Sequence, residues 1–371
     1  MIKIAYIIDT IDSPTAGTEK QLLLLLKNLN RKKVKPYLCV LESSKWLKTE
    51  FNLCPVYVLG IKSFKYPNSY YRIWKFANFL RKQGIDIVQT HFRDSNIAGI
   101  LAGRMAGVKV ISTRRNQGYW LNRRELMMQK FLNRWVAVFI ANSYSTKNWA
   151  AELEDIPEDR IQVVYNGIDL DPYLKLSPET RARYRRILEI PESSPAIGIV
   201  ANLRPVKGID IFLRAAQLVK EEVPEAKFVI VGDGTEKNNL MRLSEELGLN
   251  GSVKFLGKRE DVIPILSTLD VGVLSSHSES FSNSVLEYLA VGLPVVCTDV
   301  GGCREAVEDG VNGFVVHGED FITMAKRIVE IIKKGLVSTM GASSRHRAQE
   351  LFILSRMIDA YMRIYSRLIG I

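Results

Sequence analysis

Short apolar runs rich in β-branched residues alternate along the chain with stretches in which apolar residues recur every three or four positions. The first pattern predicts buried strands and the second predicts amphipathic helices. Because the alternation runs through both halves of the chain, we predict two α/β domains with parallel sheets. The predicted strands span 2–8, 37–41, 56–59, 85–90, 109–113, 136–141 and 161–165 in the first half, and 196–201, 227–231, 253–256, 271–274 and 294–297 in the second.

A stretch rich in charged residues and proline, 170–194, separates the two halves and follows the turn signal Asn166-Gly167. We therefore predict a first domain over residues 1–169 and a second over 170–353. The remaining stretch, 354–371, carries apolar residues at a helical spacing, which predicts one amphipathic helix. These apolar positions are Leu354, Ile358, Tyr361, Tyr365 and Leu368.

Composition is that of an ordinary globular protein, with 371 residues of which 47% are hydrophobic. The chain has no run of about 18 apolar residues, so we predict no transmembrane helix. Its four cysteines lack the spacing of metal ligands and are typical of a protein of the reducing cytoplasm.

Positive charge is concentrated in the first half of the chain. Residues 1–170 contain 26 Lys and Arg against 14 Asp and Glu, whereas the remainder contains 25 and 26. This asymmetry predicts an anionic partner for the first half, namely a membrane surface, a phosphorylated acceptor or nucleic acid. A surface charge that only maintains solubility is the alternative.

Two carboxylates follow the predicted strand 271–274, with Glu279 in a loop and Glu287 inside the next predicted helix. An open α/β sheet binds its ligands where a strand ends and a helix begins. Ser282 or Asn283 can cap that helix, whose first N–H groups then point at the ligand. The segment therefore predicts a ligand site, although solvated acids on an ordinary helix remain the alternative.

Arg204 and Lys207 lie between the predicted strand 196–201 and the next helix, where both can reach one anion. Solvated loop bases are the alternative. Gly17 follows the first strand and would let main chain approach a ligand, and Gly232 belongs to an incomplete dinucleotide-binding motif. His91 ends the predicted strand 85–90 and is either a site residue or an ordinary loop residue. The pair Asp169 and Asp171 has no further ligand cluster nearby, so we predict no metal site.

The stretch from Trp120 to Trp135 predicts a helix with one broad apolar and aromatic face bordered by cations. Such a face binds an anionic membrane surface or packs on the first sheet, and the sequence leaves both open. The face comprises Trp120, Met127, Met128, Phe131, Leu132 and Trp135, with Arg123, Lys130 and Arg134 at its border and Arg124 within it.

These segments together resemble the group 1 retaining glycosyltransferases of the GT-B fold over nearly the whole chain. The resemblance implies two Rossmann-like doubly wound domains with a cleft between them and a C-terminal helix, 354–371, that crosses back to the first domain. It is carried by Glu279 with Glu287, Arg204 with Lys207, Gly17 with Glu19, Asn166-Gly167-Ile168-Asp169, and the segments 231–234, 298–302 and 309–314.

By this resemblance, Glu279 would contact the donor sugar and Glu287 the ribose of its nucleotide. The diphosphate would meet Arg204, Lys207 and the main chain of Phe281, Ser282 and Asn283. Gly232 would belong to the same donor site, and the base would meet main chain near Gly257, Lys258 and Arg259. From the first domain, His91 would face the donor sugar. Gly17 would let the first loop close over the phosphates. Ser280 and Ser282 stand where the family often has glycine, and Ala16-Gly17 stands for a glycine pair.

The implied reaction transfers a sugar, with retained configuration, from a nucleoside diphosphate sugar to a glycan or lipid-linked acceptor. The donor would bind the second domain and the acceptor the first, so catalysis would bring the two halves together. The setting would be bacterial surface polysaccharide assembly in the cytoplasm or at the inner face of its membrane, with no metal, no other cofactor and no nucleic acid. A sugar-nucleotide epimerase of the same fold and an inactive nucleotide-sugar-binding protein are the alternatives.

Overall fold

The computed structural model describes residues 1–14, 17–116 and 122–371. The chain divides into two compact units, of which unit 1 comprises Met1–Gly167 with Leu354–Ile371 and unit 2 comprises Ile168–Ile353. The predicted boundary fell between residues 169 and 170. The charged stretch 170–194, which was predicted to begin the second domain, is largely helical and belongs to unit 2.

Unit 1 contains a parallel sheet of seven described strands in the order β3-β2-β1-β4-β5-β6-β7. The apolar runs predicted every one of them, with ends displaced by a few residues, because most of the runs are buried on both faces of the sheet; the edge strand β3, which exposes Val56 and Val58, is the exception. The strands are β1 (Ile2–Ile8), β2 (Val34–Val40), β3 (Val56–Val58), β4 (Ile87–Thr90), β5 (Lys109–Arg114), β6 (Val138–Ala141) and β7 (Ile161–Val163).

Helices cover both faces of this sheet. They are α1 (Gly17–Asn28), α2 (Lys45–Thr49), α3 (Pro67–Gln83), α4 (Arg93–Ala106), α5 (Arg123–Leu132), α6 (Tyr144–Glu154) and, from the end of the chain, α16 (Leu354–Ile369). Helices α1 and α16 pack on one face, and α16 enters the core through Met357, Tyr361 and Tyr365, of which the two tyrosines belong to the predicted apolar stripe. Helices α3 to α6 form the layer on the other face.

Unit 2 contains a second parallel sheet in the order β10-β9-β8-β11-β12-β13. Strand β13 was not predicted, because the first of its four residues, Gly313, belongs to the turn signal Asn312-Gly313. The strands are β8 (Ala196–Val200), β9 (Lys227–Val231), β10 (Val253–Phe255), β11 (Val271–Leu274), β12 (Val295–Thr298) and β13 (Gly313–Val316). The helices are α7 (Asp171–Leu174), α8 (Pro178–Ile187), α9 (Ile209–Glu222), α10 (Lys237–Glu246), α11 (Val262–Leu266), α12 (Asn283–Val291), α13 (Cys303–Ala306), α14 (Phe321–Lys333) and α15 (Val337–Leu351).

The strand order of each sheet reverses once, between β1 and β4 in unit 1 and between β8 and β11 in unit 2. Ladder pairing of β8 with β11 ends at Gly198 and Gly272, short of the carboxyl ends. Beyond that point the Tyr288 hydroxyl of α12 accepts from Val200 N at 2.7 Å and donates to Val273 O at 3.2 Å. The Tyr288 side chain thus replaces the ladder hydrogen bonds that β8 and β11 lack at their carboxyl ends. It holds the two strand ends apart at the position where this fold binds ligands.

Candidate functional site

The two charged residues predicted after neighbouring strands of unit 2 meet in the structure. Lys207 Nζ donates to Glu279 Oε1 at 2.6 Å, and Ser276 Oγ donates to the same oxygen at 2.9 Å. The side chains of Lys207 and Glu279 are 24% and 12% exposed, so solvent screens the pair only partly. Across the described part of the chain, Glu279 Oε2 accepts no hydrogen bond, and this oxygen can therefore accept one from a ligand hydroxyl.

Polar contacts to main chain hold the loops that carry this pair. Ser275 Oγ, after β11, donates to Lys207 O at 3.2 Å and so joins the loops that follow β8 and β11. Thr298 Oγ1, at the end of β12, donates to Ser276 O at 2.7 Å. The residue that orients Glu279 is therefore itself fixed from the neighbouring strand.

Two glycines let these loops approach main chain to main chain. At Gly301 (φ +53°) a Cβ atom would lie 2.0 Å from Glu279 O, and at Gly232 (φ +138°) it would lie 1.8 Å from Ala201 O. No larger residue fits either position without moving the backbone. Gly232 N also donates to Gly257 O at 2.8 Å, so the structure shows Gly232 packing the loops after β8, β9 and β10 together.

Helix α12 begins beside the ion pair, as the sequence predicted. Ser282 is the N-cap, and its hydroxyl accepts from Val285 N. Asn283 is the first helical residue, and Glu287 lies one turn further, half-buried. The start of the helix thus places the positive end of its dipole beside Glu279 and Lys207, which suits an anionic ligand group.

Buried side chains fix the two sides of α12. The ring of Phe281 packs on Phe352 at 5.4 Å between centroids. Burial raises the pKa of Tyr173 in α7, and the negative charge of nearby Glu287 raises this pKa further. The carboxylate of Glu287 therefore stands next to a buried phenol at the beginning of unit 2.

The remaining cations predicted for unit 2 differ in availability. Arg204 is exposed at the start of the turn before α9, and within the described ranges its guanidinium has no hydrogen bond or ion pair. Lys258 is exposed too. Arg259, in contrast, grips Asp261 with two hydrogen bonds of 2.8 and 2.7 Å and thereby lowers the pKa of that carboxyl.

In unit 1, His91 is fully buried and both ring nitrogens have partners. Nε2 lies 3.2 Å from Gln89 Nε2, and Nδ1 lies 3.3 Å from Thr113 Oγ1. Thr113 donates its proton to Thr90 O at 2.8 Å, and Tyr365 of α16 donates to Gln89 Oε1 at 2.6 Å. His91 is thus joined to the C-terminal helix by a chain of hydrogen bonds.

These bonds define the proton positions on His91. The carbonyl of Thr90 can only accept, so the Thr113 hydroxyl must accept from Nδ1–H, and Nε2 must be the bare acceptor for the Gln89 amide. Burial lowers the pKa of His91 well below its ordinary value, and the charge of Arg115 lowers it further. The imidazole is therefore neutral, and its predicted role facing the donor sugar stays a prediction. Gly17, the other residue predicted from this unit, is the exposed first residue of α1.

A pocket lies at the carboxyl edge of β4 and β5, next to His91. One buried ion pair shapes it: Arg114 grips Glu154 at 2.8 and 2.7 Å, and Asn133 donates to the same carboxylate at 2.9 Å. The pocket has an empty volume of about 450 Å³, including its open mouth, and is lined by Phe92, Arg93, Asn96, Thr113, Arg114, Arg115, Asn116, Gln129, Trp149 and Glu154.

The face predicted for a membrane lies largely on α5, although Trp120 falls outside the described residues. Met127 and Phe131 are 71% and 51% exposed, so this part of the face does not pack on the sheet. Arg134 stacks over Phe131, whose ring also meets Trp135 edge-on. Of the bordering cations, Arg123 is exposed, whereas Lys130 pairs with Asp155, and Arg124, predicted within the face, is exposed too.

Helix α3 carries a second basic and aromatic surface, which the sequence analysis missed. Tyr70, Tyr71 and Trp74 are exposed on one helical stripe, and the rings of Tyr71 and Trp74 stack at 5.8 Å. Lys75 Nζ lies 4.8 Å from the Tyr71 ring centroid. Residues 51–85 contain six Lys and Arg and no Asp or Glu, and this charge pattern is the signal that would have found the surface.

Sequence reasoning also missed the roles of Ser276, Tyr288, Gln89 and Tyr365, of which the last three depend on partners far away in the chain. A serine three residues before a loop carboxylate was the only local signal among them. In the described ranges, no three His, Cys, Asp or Glu side chains cluster as metal ligands would, and no helix is long and apolar enough to cross a membrane.

Comparison with known proteins adds family matches to this geometry. Residues 180–350 match the model of glycosyl transferases group 1, and residues 15–172 match that of glycosyltransferase family 4. Between them the two matches cover most of the chain, and each lies mainly in one of the two units.

Two relatives and one solved structure illustrate the likeness. D-inositol 3-phosphate glycosyltransferase of Mycolicibacterium smegmatis is 32% identical over 62% of this chain and 52% of its own length. The Escherichia coli UDP-Gal:alpha-D-GlcNAc-diphosphoundecaprenol alpha-1,3-galactosyltransferase is 27% identical over 77% of this chain and 76% of its own. The chain thus spans about half the length of the Mycolicibacterium smegmatis relative. HepE of Anabaena in complex with UDP superposes with a TM-score of 0.86 over 99% of this chain and 100% of HepE, at 22% identity, which shows the same fold.

Proposed function

Because the chain belongs to the group 1 glycosyltransferases of the GT-B fold, we propose that it transfers a sugar from a nucleoside diphosphate sugar to a hydroxyl of a glycan or lipid-linked acceptor. The observation that carries this proposal is the Lys207–Glu279 pair beside the start of α12, at the strand-order reversal of unit 2. A cation, a helix start and a carboxylate with one unused oxygen suit a diphosphate joined to a sugar.

Successive parts of the donor would bind different groups of unit 2. Arg204, Lys207 and the first N–H groups of α12 would bind the diphosphate, and Glu279 Oε2 would accept from a sugar hydroxyl. Glu287 would hold the ribose, and main chain near Gly257 would meet the base. The half-exposed Lys207 has three N–H donors, so it can bind a phosphate oxygen and keep its bond to Glu279.

The reaction would proceed with retention and without a metal. As the sugar–oxygen bond breaks, negative charge grows on the diphosphate, and Arg204, Lys207 and the helix start would stabilise it. The acceptor hydroxyl would attack from the face that the diphosphate leaves, and a phosphate oxygen would take its proton. His91 is buried and neutral, so the charges that stabilise the leaving diphosphate would come from unit 2.

The acceptor would bind to unit 1, at a bacterial membrane where surface polysaccharide is assembled. The basic charge of residues 1–170 supports an anionic environment, and α3 and α5 each expose aromatic rings among cations. Such surfaces bind at the headgroups of anionic lipid, with an affinity that falls as salt rises. The enzyme would then work at the inner face of the cytoplasmic membrane.

A thermal-shift screen of nucleoside diphosphates and nucleotide sugars tests the donor proposal. A ligand at 100 times its dissociation constant should stabilise the protein by about 2.7 kcal/mol. The best ligand then enters a transfer assay with lipid-linked and free glycan acceptors, with and without EDTA. Absence of any stabilising nucleotide would refute the donor site. Reversible loss of transfer in EDTA would refute the proposal that Arg204, Lys207 and the helix start stabilise the diphosphate without a metal.

Co-sedimentation with anionic and neutral vesicles tests the membrane proposal. The charge reversal Arg123→Glu/Lys130→Glu/Arg134→Glu on α5 is compared with Tyr70→Ser/Tyr71→Ser/Trp74→Ser on α3. We expect salt-sensitive binding to anionic vesicles that at least one of the two variants reduces. Equal binding to neutral vesicles, or binding unchanged in both variants, contradicts the proposal.

A further inference from the structure

The three arginines that line the pocket of unit 1 differ in how their charge is balanced. Arg93 pairs with Asp94 and Glu125, and Arg114 pairs with Glu154. Arg115 has no carboxylate partner in the described part of the chain. Its guanidinium donates instead to two neutral oxygens. Arg115 therefore brings an uncompensated positive charge to the pocket, and this charge contributes to the lowered pKa of His91.

The guanidinium of Arg115 is held in place without being neutralised. Its two terminal nitrogens donate to Asn166 Oδ1 at 2.8 Å and to Tyr361 Oη of α16 at 3.0 Å. The side chain is half-buried, so water screens its charge less than that of an exposed arginine. A fixed, partly desolvated cation of this kind attracts an anion and presents further N–H donors to it.

An unpaired acceptor lies at the neighbouring strand end. Arg114 of β5 pairs in register with Ala141 of β6, so the residues that follow, Arg115 and Asn142, leave the sheet side by side. Asn142 is 4% exposed, and its Oδ1 has no hydrogen-bond partner. A buried amide oxygen without a donor is costly, and a ligand hydroxyl would satisfy it.

We propose that this pocket binds a phosphate or diphosphate ester that also carries hydroxyl groups, with Arg115 contacting the phosphate and a ligand hydroxyl reaching Asn142, which lies beside the pocket and not among its lining residues. The inference rests on the proposed function, for which this ester is the acceptor. Two sources share the chemistry: the diphosphate of a lipid-linked glycan and a free sugar phosphate. Tyr361 is a positioning residue, since it acts on the ligand through Arg115.

The test measures anion binding without any donor, so it remains readable if sugar transfer is never found. Thermal shifts with glucose 1-phosphate and with geranyl diphosphate are recorded at constant ionic strength in the Arg204→Ala/Lys207→Ala background, which removes the cations of unit 2. We expect Arg115→Gln to weaken binding at least tenfold. Arg115→Lys and Tyr361→Phe should weaken it less, because each keeps the charge and disturbs only its geometry.

Arg72→Gln is the matched control, because Arg72 is another half-buried arginine of unit 1, and it donates a hydrogen bond to a neutral group, the carbonyl of Leu59. It should leave anion binding unchanged. Tighter binding of geranyl diphosphate would assign the pocket to a lipid-linked diphosphate, and tighter binding of glucose 1-phosphate would assign it to a sugar phosphate. Equal affinities in Arg115→Gln and its parent, equal losses in Arg115→Gln and Arg72→Gln, or no binding of either compound, would overturn the proposal.

Discussion

The carboxyl edges of the two sheets carry ion pairs of opposite character. In unit 2, Lys207 and Glu279 are joined by one hydrogen bond and remain partly accessible. In unit 1, Arg114 and Glu154 are 5% and 2% exposed and are joined by two hydrogen bonds.

This difference separates a pair that can exchange partners from one that cannot. A partly exposed pair loses little when a ligand replaces one contact, because water and the ligand satisfy both charges. A deeply buried pair leaves an unpaired charge when it opens, at a cost of several kcal/mol. Unit 2 therefore offers its charges to a ligand at this edge, whereas unit 1 uses Arg114 and Glu154 to fix the shape of the pocket that surrounds Arg115.

Breaking the buried pair gives the largest expected effect. Glu154→Gln leaves Arg114 without a counter-charge and should lower the free energy of unfolding by about 3–5 kcal/mol. Urea unfolding of the whole chain, followed by fluorescence, measures the change. The control is Asp155→Asn, which removes the neighbouring but exposed pair with Lys130 and should cost under about 1 kcal/mol. Equal losses in the two variants would contradict the distinction between the units.

Glu279→Ala tests the accessible pair by activity. Removing the carboxylate should reduce transfer on the order of hundredfold, the scale seen when a polar transition-state contact is lost. The melting temperature should barely change, because the pair is accessible. Glu225→Ala, an exposed carboxylate at the opposite edge of the same sheet, is the control and should keep full activity. Near wild-type turnover of Glu279→Ala would remove this residue from the site.

The sequence placed the charged residues at the edge of unit 2 correctly because they lie within short loops. Glu279, Ser282 and Glu287 belong to one strand-to-helix connection, and Arg204 and Lys207 belong to another. Parallel strands end at the same edge, so the periodicity that predicted the strands also brought these loops together. The periodicity could not predict the hydrogen bond between Lys207 and Glu279, since side-chain pairing depends on the detailed geometry of the loops.

The edge of unit 1 was predicted poorly because its contacts join distant parts of the chain. Gln89 and Tyr365 are 276 residues apart, and Arg115 and Tyr361 are 246 residues apart. Helical spacing predicted that Tyr361 and Tyr365 face a core, and it gave no sign that their hydroxyls would hold polar groups of the sheet edge. The fold class and the family were confirmed by the comparisons, whereas the roles of the site residues stay predictions.

Removing the cations of unit 2 should give an intermediate effect on binding. Arg204→Ala and Lys207→Ala should each weaken nucleoside diphosphate binding by about 1.5–3 kcal/mol, the value of one hydrogen bond to a charged group. Arg259→Ala should cost less, because Asp261 already occupies that guanidinium and only the main chain is predicted to meet the base. Calorimetric titration measures all three. An Arg259→Ala loss as large as the other two would mean that this guanidinium leaves Asp261 to bind the ligand.

The pH dependence of stability should show the smallest effect, at most about 1.4 kcal/mol per pH unit for one group. Burial lowers the pKa of His91 in the folded state, so below its ordinary value of 6.5 only the unfolded chain takes up this proton, and stability falls as pH falls. Burial raises the pKa of Asp9 from 3.8 to about 6, so between those values the folded chain takes up the extra proton, and stability rises as pH falls. The two groups oppose each other.

Relative to wild type, His91→Gln should therefore gain stability as pH falls from 6.5 to 5, and Asp9→Asn should lose stability as pH falls from 6 to 4. Urea unfolding at several pH values measures both differences, in which the other titrating groups cancel. A difference for His91→Gln that does not change with pH would mean that His91 takes up its proton in the folded protein as readily as in the unfolded chain, and the hydrogen-bond chain from Tyr365 would then be wrong.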